Sequence, residues 1–247
     1  MATSGTSIHQ ILPPYDDKRR PQEGDAPAVG QIVRTVVPNF CDHWKVFDAT
    51  RADQVKHSSV SGTIRPLAQA DYHPKPDRLP IFKLRLGECE ELLAVHSKLR
   101  PCVVLMTSLG IVPGHLPDDW QRAKGLNAFR HTAYLVAPLF STAQKDERKA
   151  FGPAMAARVE CLVYPQFVYL PRSGGVIQAD SVARLDRAFW TTLAPPTAPE
   201  PLFLSEQRMG VLQCQLLSLQ GLPMPPDYVE MAELLQLELK DEHRVPA

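Results

Sequence analysis

Residues 98–106 read Lys-Leu-Arg-Pro-Cys-Val-Val-Leu-Met. The run Cys102–Met106 is continuously apolar and is bounded by Pro101 and by a Thr-Ser-Leu-Gly turn at 107–110. Its length and β-branching read as a strand buried on both faces. Proline has no backbone donor and restricts the residue before it to extended geometry. Arg100 is therefore held out at the mouth of this strand, where a planar guanidinium suits two-pronged binding of phosphate. Taken alone, a solvated surface arginine is the plainer reading of Arg100.

Outward from this strand, the chain is a series of short elements separated by turns. Residues 133–140, AYLVAPLF, repeat the buried-strand pattern, with Pro138 near its end or at a bulge. Upstream, GQIVRTVV at 30–37 is a strand ended by Pro38, WKVF at 44–47 is a second, and IFKLRL at 81–86 alternates apolar with basic. ECEELLAVHSKL at 88–99 reads as a short helix or turn. Residues 145–163 hold apolar positions at helical spacing. FVYL at 167–170, a Gly174-Gly175 turn and VIQADSVARLD make a strand, a turn and a second strand or a strand-to-helix step. Two helices close the chain: one capped by Ser205 and stopped at Gly221, the other opening on Asp227 with Glu230 three residues on.

Composition agrees with short elements. The 247 residues include 24 prolines, about twice the usual share, which excludes a coiled coil and disfavours a helical bundle. Lys plus Arg and Asp plus Glu both number 27, so the net charge is zero. The zero is segmental. Residues 34–190 carry net +6 and residues 191–247 carry −5. A uniform polycation is excluded, but a local phosphate-binding groove is not. The N-terminus lacks the apolar core of a secretory signal, no run is long enough to span a membrane, and the five cysteines are scattered. A cytoplasmic protein with reduced thiols and no membrane contact is expected.

Other chemistry is poorly represented. Cys41, His43, His57, His73, Cys89 and His96 match no familiar metal-ligand spacing, and surface histidines are the simpler account. Glycine-rich phosphate loops and the G-x-S-x-G elbow are absent. Cys102 and Cys161 lie in apolar runs and read as inert core thiols.

The order of the pieces adds a resemblance. Gly30-Gln31-Ile32-Val33, Lys98 to Leu105 around Arg100-Pro101, Leu135 to Thr142 with Pro138, and Tyr169-Leu170-Pro171 followed by Gly174-Gly175 and Asp180 to Asp186 resemble, in order, the motifs of the MazF/PemK-like toxins. The match covers about residues 98–190 well and 30–33 weakly. The resemblance implies a mainly β fold with peripheral helices: a small SH3-like (MazF/PemK-like) β-barrel with an inserted loop region and a C-terminal helical pair. The corresponding layout is a mobile arm at 1–28, a barrel at 29–194 with an insertion at about 48–97, a Pro-rich linker at 195–201 and an acidic helical tail at 202–247.

The resemblance also implies a metal-independent, cofactor-free endoribonuclease of a toxin–antitoxin or defence system. Its members cleave single-stranded RNA by 2′-hydroxyl attack, act as homodimers and are neutralised by an antitoxin protein. Carried across, the catalytic residues are Arg100 and Ser141, with Thr142, and Arg130, Lys145, Arg172 and Arg187 are RNA-binding. Phe140 stands where the family has Thr, and a phenyl ring supplies no donor. Ser141 or Thr142 takes over only if a bulge shifts the register by one. Two other readings stand beside this one: a non-catalytic RNA- or protein-binding module on the same barrel, and a scaffold subunit that works through its helical tail.

Overall fold

A computed structural model of the chain describes residues 6–21, 26–39, 43–50, 55, 60–73, 90–108, 132–142, 151–192 and 196–244. The fold is mainly β, with antiparallel sheets and few helices. The chain divides into two compact units, Val36–Lys98 and Met1–Thr35 with Leu99–Ala247.

The smaller unit is a three-stranded sheet. Strand β2 (Lys45–Thr50) lies between β3 (Ser61–Pro66) and the short β4 (Leu93–Ala94). Gly62 faces Ala49 in the β2–β3 register. A Cβ there would stand 2.7 Å from the Asp48 carbonyl oxygen and 2.7 Å from the Phe47 ring, so the two strands meet at a point where only glycine fits. Arg65 joins the carboxylates of Asp48 (3.0 Å) and Asp71 (2.5 Å). The stretch expected as an insertion, about 48–97, falls within the smaller unit Val36–Lys98, which also holds the WKVF strand. Within 88–99 the described residues, 90–99, hold strand residues at 93–94 and 97–99 and no helix. Residues 81–86 lie outside the described residues.

The larger unit is built on a sheet of order β10-β1-β5-β6-β8-β7. Here β1 is Gln31–Pro38, β5 Ser97–Ser108, β6 Ala133–Ser141, β7 Phe167–Leu170, β8 Ser181–Arg184 and β10 Ala198–Phe203. A further strand, β9 (Phe189–Thr191), also pairs with β6. The β6 edge is shared in an instructive way. Residues 134–136 pair with β9 and residues 139–141 pair with β8, while a 3-10 turn at Leu185–Arg187 connects the two partners. Pro138 sits at this change of partner, where a missing donor breaks no ladder bond on that side. Among the described residues the pairings do not join β10 to β7.

Strand alternation sorts the side chains. Val103, Leu105, Ala137, Leu139, Val168, Leu170 and Ala183 form the main core on one face. Cys102 and Val104, on the other face, are also fully buried, as the unbroken apolar run requires. Helix α2 (Pro153–Glu160), with proline in its first turn, packs Val159 over Phe167, Tyr169 and Val182 on that second face.

The segments flanking the sheet differ from expectation. Of the stretch 195–201, expected as a stiff Pro-rich linker, residues 198–201 belong to the edge strand β10 (Ala198–Phe203), paired with β1. Proline is tolerated there because an edge strand leaves donors unused. The helical tail is present as α3 (Glu206–Leu219) and α4 (Pro226–Leu237). The Ser205 hydroxyl caps α3 by accepting from the Arg208 amide at 3.1 Å, and Gly221 follows the helix at φ +69°. For α4 the capping residue is Pro225, so Asp227 lies inside the first turn instead of capping it. Leu212 of α3 joins the main core, and Tyr228, Ala232 and Leu235 of α4 join a second core with Val211.

The N-terminal arm is packed over much of its described length. A helical turn, α1 (Ile8–Ile11), buries Ile8 completely against Ala157, Cys161 and Leu235. Pro13 and Pro14 accept from the Ser205 hydroxyl and amide, the Asp16 amide donates to Phe203, and the Tyr15 hydroxyl donates to the Pro171 carbonyl. No helix among the described residues is long and apolar enough to cross a membrane.

Candidate functional site

Arg100 enters β5 in extended conformation immediately before Pro101. In the β5–β6 register Cys102 lies opposite Pro138. Continuing this register by two residues sets Arg100 opposite Phe140, and the guanidinium carbon stands 4.6 Å from the centroid of the Phe140 ring, a cation–π contact. Among the described residues no hydroxyl or carboxylate lies at hydrogen-bond distance from this guanidinium.

A second arginine completes the patch. Phe140 pairs with Val182 on β8, and Arg184 is two residues on, on the same side of that strand. Its guanidinium carbon is 5.9 Å from the Phe140 centroid and 5.2 Å from that of Phe167. Arg184 also grips Asp186, with Nε donating to Oδ1 at 2.8 Å and Nη2 donating to Oδ2. This contact holds the Asp186 carboxyl below the usual carboxylate range. The result is a half-exposed phenyl ring with a guanidinium group from each neighbouring strand.

The proposed hydroxyl partners are not brought to Arg100. The pairs Leu139–Ala183, Phe140–Val182 and Ser141–Ser181 follow without interruption, so the register shift required to bring Ser141 round is absent. The irregularity in this part of the sheet lies instead between Val104 and Met106 on β5. Ser141 therefore falls on the side of β6 away from Phe140. Thr142 shares the Phe140 side, but its hydroxyl donates to the Asp180 carbonyl oxygen at 2.9 Å and its amide donates to the same oxygen at 2.8 Å. Arg172 meets the same residue, its amide donating to Asp180 Oδ1 at 2.9 Å with its side chain exposed. Arg187 lies half-buried in the 3-10 turn after Arg184. Arg130 and Lys145 lie outside the described residues.

Two groups were missed from sequence. Arg184 was legible in principle, because alternation places residues 182 and 184 together, but its pairing with β6 was not. The other is a polar cluster around Glu160. His9 Nδ1 stands 3.7 Å from Glu160 Oε2 and 2.9 Å from the Ser7 hydroxyl, and the His9 ring is 5.4 Å from the Tyr169 ring. Burial, reinforced by the Asp180 charge, pushes the Glu160 carboxyl up to about 7. Burial and the Arg208 charge push His9 down. Arg208 is itself fully buried and its pKa is depressed by burial to about 10, with Nη2 donating to the Leu12 carbonyl at 3.3 Å. These residues come from five separated stretches, and no local motif marks them.

The thiols behave as core groups. Burial raises Cys102 to about 12 and Cys161 to about 11, so neither supplies a thiolate near neutrality. His43, His73 and His96 are described, and Cys41, His57 and Cys89 are not. Among the described residues no three His, Cys, Asp or Glu side chains gather closely enough to hold a metal ion. Comparison of the chain with protein-family models, with curated proteins and with solved structures gives no match.

Proposed function

We propose that this chain is a MazF/PemK-like module, on the small SH3-like barrel of that family, that holds single-stranded RNA at the Arg100–Phe140 surface without cutting it. One observation carries the reading: the residue across the sheet from Arg100 is a phenyl ring. An aromatic face flanked by guanidinium groups suits an unstacked base and its neighbouring phosphate, and base–aromatic stacking contributes about 1–3 kcal/mol per base. It does not suit phosphoryl chemistry. Attack by a 2′-hydroxyl needs donors on the phosphate oxygens as charge develops there, and a group to take the proton. Arg100 supplies a donor, and the hydroxyl candidate on the Phe140 side of the strand, Thr142, spends its proton on Asp180.

The second reading is the cleaving one, a metal-independent endoribonuclease that acts as a homodimer under the control of an antitoxin. Thr142 favours it, since this hydroxyl lies on the Phe140 side of the strand. The two readings separate in one experiment. Pure protein is incubated with a panel of unstructured RNAs in EDTA, and both retention and products are followed. Retention without products supports the binding module. Fragments ending in a cyclic phosphate, lost in Arg100→Ala, establish the nuclease instead.

A further inference from the structure

Helix α4 buries one apolar stripe and leaves beside it a second stripe, apolar at its centre and acidic at its ends, of which only Met231 packs against the second core. Tyr228, Ala232, Leu235 and Leu239 recur at intervals of four, three and four residues and are buried in the second core. One position earlier, Asp227, Met231, Leu234 and Glu238 recur at the same intervals. This second stripe lines a groove of about 470 Å³ between α4 and α1, floored by Ile11, Met231, Leu234 and Leu237. Three of these are markedly exposed: Ile11 at 48%, Leu234 at 58% and Leu237 at 68%. Apolar side chains of this size concentrated in one groove mark a contact surface.

Among the described residues the charged groups that line the groove are all acidic, beside the neutral Thr6. Asp227, Glu230 and Glu238 line the groove, and α4 contains no Lys or Arg. Arg244, just beyond the helix, is tied to the carbonyls of Leu237 and Leu239 and does not line the groove. The rim repels RNA and anionic lipid, so the groove serves a different ligand from the Arg100 surface.

We propose that this groove docks an amphipathic helix of a partner protein, with leucine-like anchors on one face and Lys or Arg beside them. Met231, Leu234 and Leu237 follow one another at three-residue intervals along one side of α4, an arrangement that receives the apolar face of another helix. The apolar centre receives the anchors, and carboxylates at both ends and one side select basic flanks and fix their orientation.

The test uses the full chain and two labelled peptides of about 18 residues, long enough to form helix. Both carry the same leucine heptads, one flanked by Lys and the other by Glu. Fluorescence anisotropy should show the Lys peptide binding about ten-fold tighter or more, a preference of about 1.4 kcal/mol. The exposed double variant Leu234→Gln/Leu237→Gln should lose this binding about ten-fold with an unchanged Tm. Glu230→Lys/Glu238→Lys should transfer the preference to the Glu peptide, and it provides the readout if the leucine variant does not fold. Equal binding of the Lys peptide by the leucine variant would mean charge adhesion alone and would overturn the proposal. A wild-type dimer dissolved by the leucine substitutions would also overturn it, because a second copy would then be the occupant. Binding to anionic vesicles that is lost in the leucine variant would do the same in favour of a membrane.

Discussion

Arg100 and Phe140 face each other across β5 and β6, with the guanidinium carbon 4.6 Å from the ring centroid. On the proposed reading the ring stands where a hydroxyl would address a phosphate held by Arg100, and Phe140→Thr should then convert the proposed binding surface into a weakly cutting one. Mass spectrometry of RNA incubated with this variant in EDTA should detect cyclic-phosphate ends that are absent with wild type and with Arg100→Ala/Phe140→Thr. A silent Phe140→Thr variant that still binds RNA would show that more than this ring separates binding from cleavage.

Ile8 is fully buried against Ala157, Cys161 and Leu235. Removing most of a buried isoleucine side chain costs about 2–5 kcal/mol. Ile8→Ala should lower stability by an amount in this range in urea unfolding. A free arm would give no change.

Glu160 is a carboxyl whose pKa is raised on folding, so its sign is the reverse of a salt-bridged acid. The folded state holds the proton more tightly than the unfolded chain. This stabilisation is complete below the ordinary carboxyl pKa and is lost as pH rises through about 7. Glu160→Gln should raise the Tm at pH 8 by roughly 2–4 °C, for about 1 kcal/mol, and leave it nearly unchanged at pH 4. A lowered Tm at pH 8 would mean that the ionised carboxylate is an anchor rather than a burden.

Gly62 meets Asp48 and the Phe47 ring too closely to accept a side chain. Gly62→Ala should cost about 1–3 kcal/mol. Hydrogen exchange should show the loss at 45–50 and 61–66, with protection at 167–170 retained. Uniform loss across both regions would mean that the two units unfold as one.

The strands around Arg100 were legible because their signals are local. Cys102–Met106 is apolar without interruption, and Pro101 fixes the geometry of the residue before it. The partner of Arg100 was not legible, because it depends on the pairing of Cys102 with Pro138 across a sequence gap of more than thirty residues. The same limit hid Arg184. Residues 195–201 misled for another reason. Their prolines read as a linker, yet an edge strand needs donors on one side only. The arm misled because Ile8 and Leu12 are too few to make a pattern, and their burial depends on α2, α3 and α4, which lie at least 140 residues away.

The most direct test of the central claim is a salt titration of RNA binding. Fluorescence anisotropy with a labelled unstructured RNA of about 12 nucleotides, comparable to the site size of one single-strand-binding fold, is measured for wild type, Arg100→Ala and Phe140→Leu from low to high salt. Wild type should bind with log K falling against log salt by about 0.7 per phosphate contact. Arg100→Ala should lose about one such contact from the slope. Phe140→Leu should weaken binding by about 1–3 kcal/mol at an unchanged slope, as loss of stacking requires. Wild-type binding that neither substitution alters, or no binding even at low salt, would contradict the account.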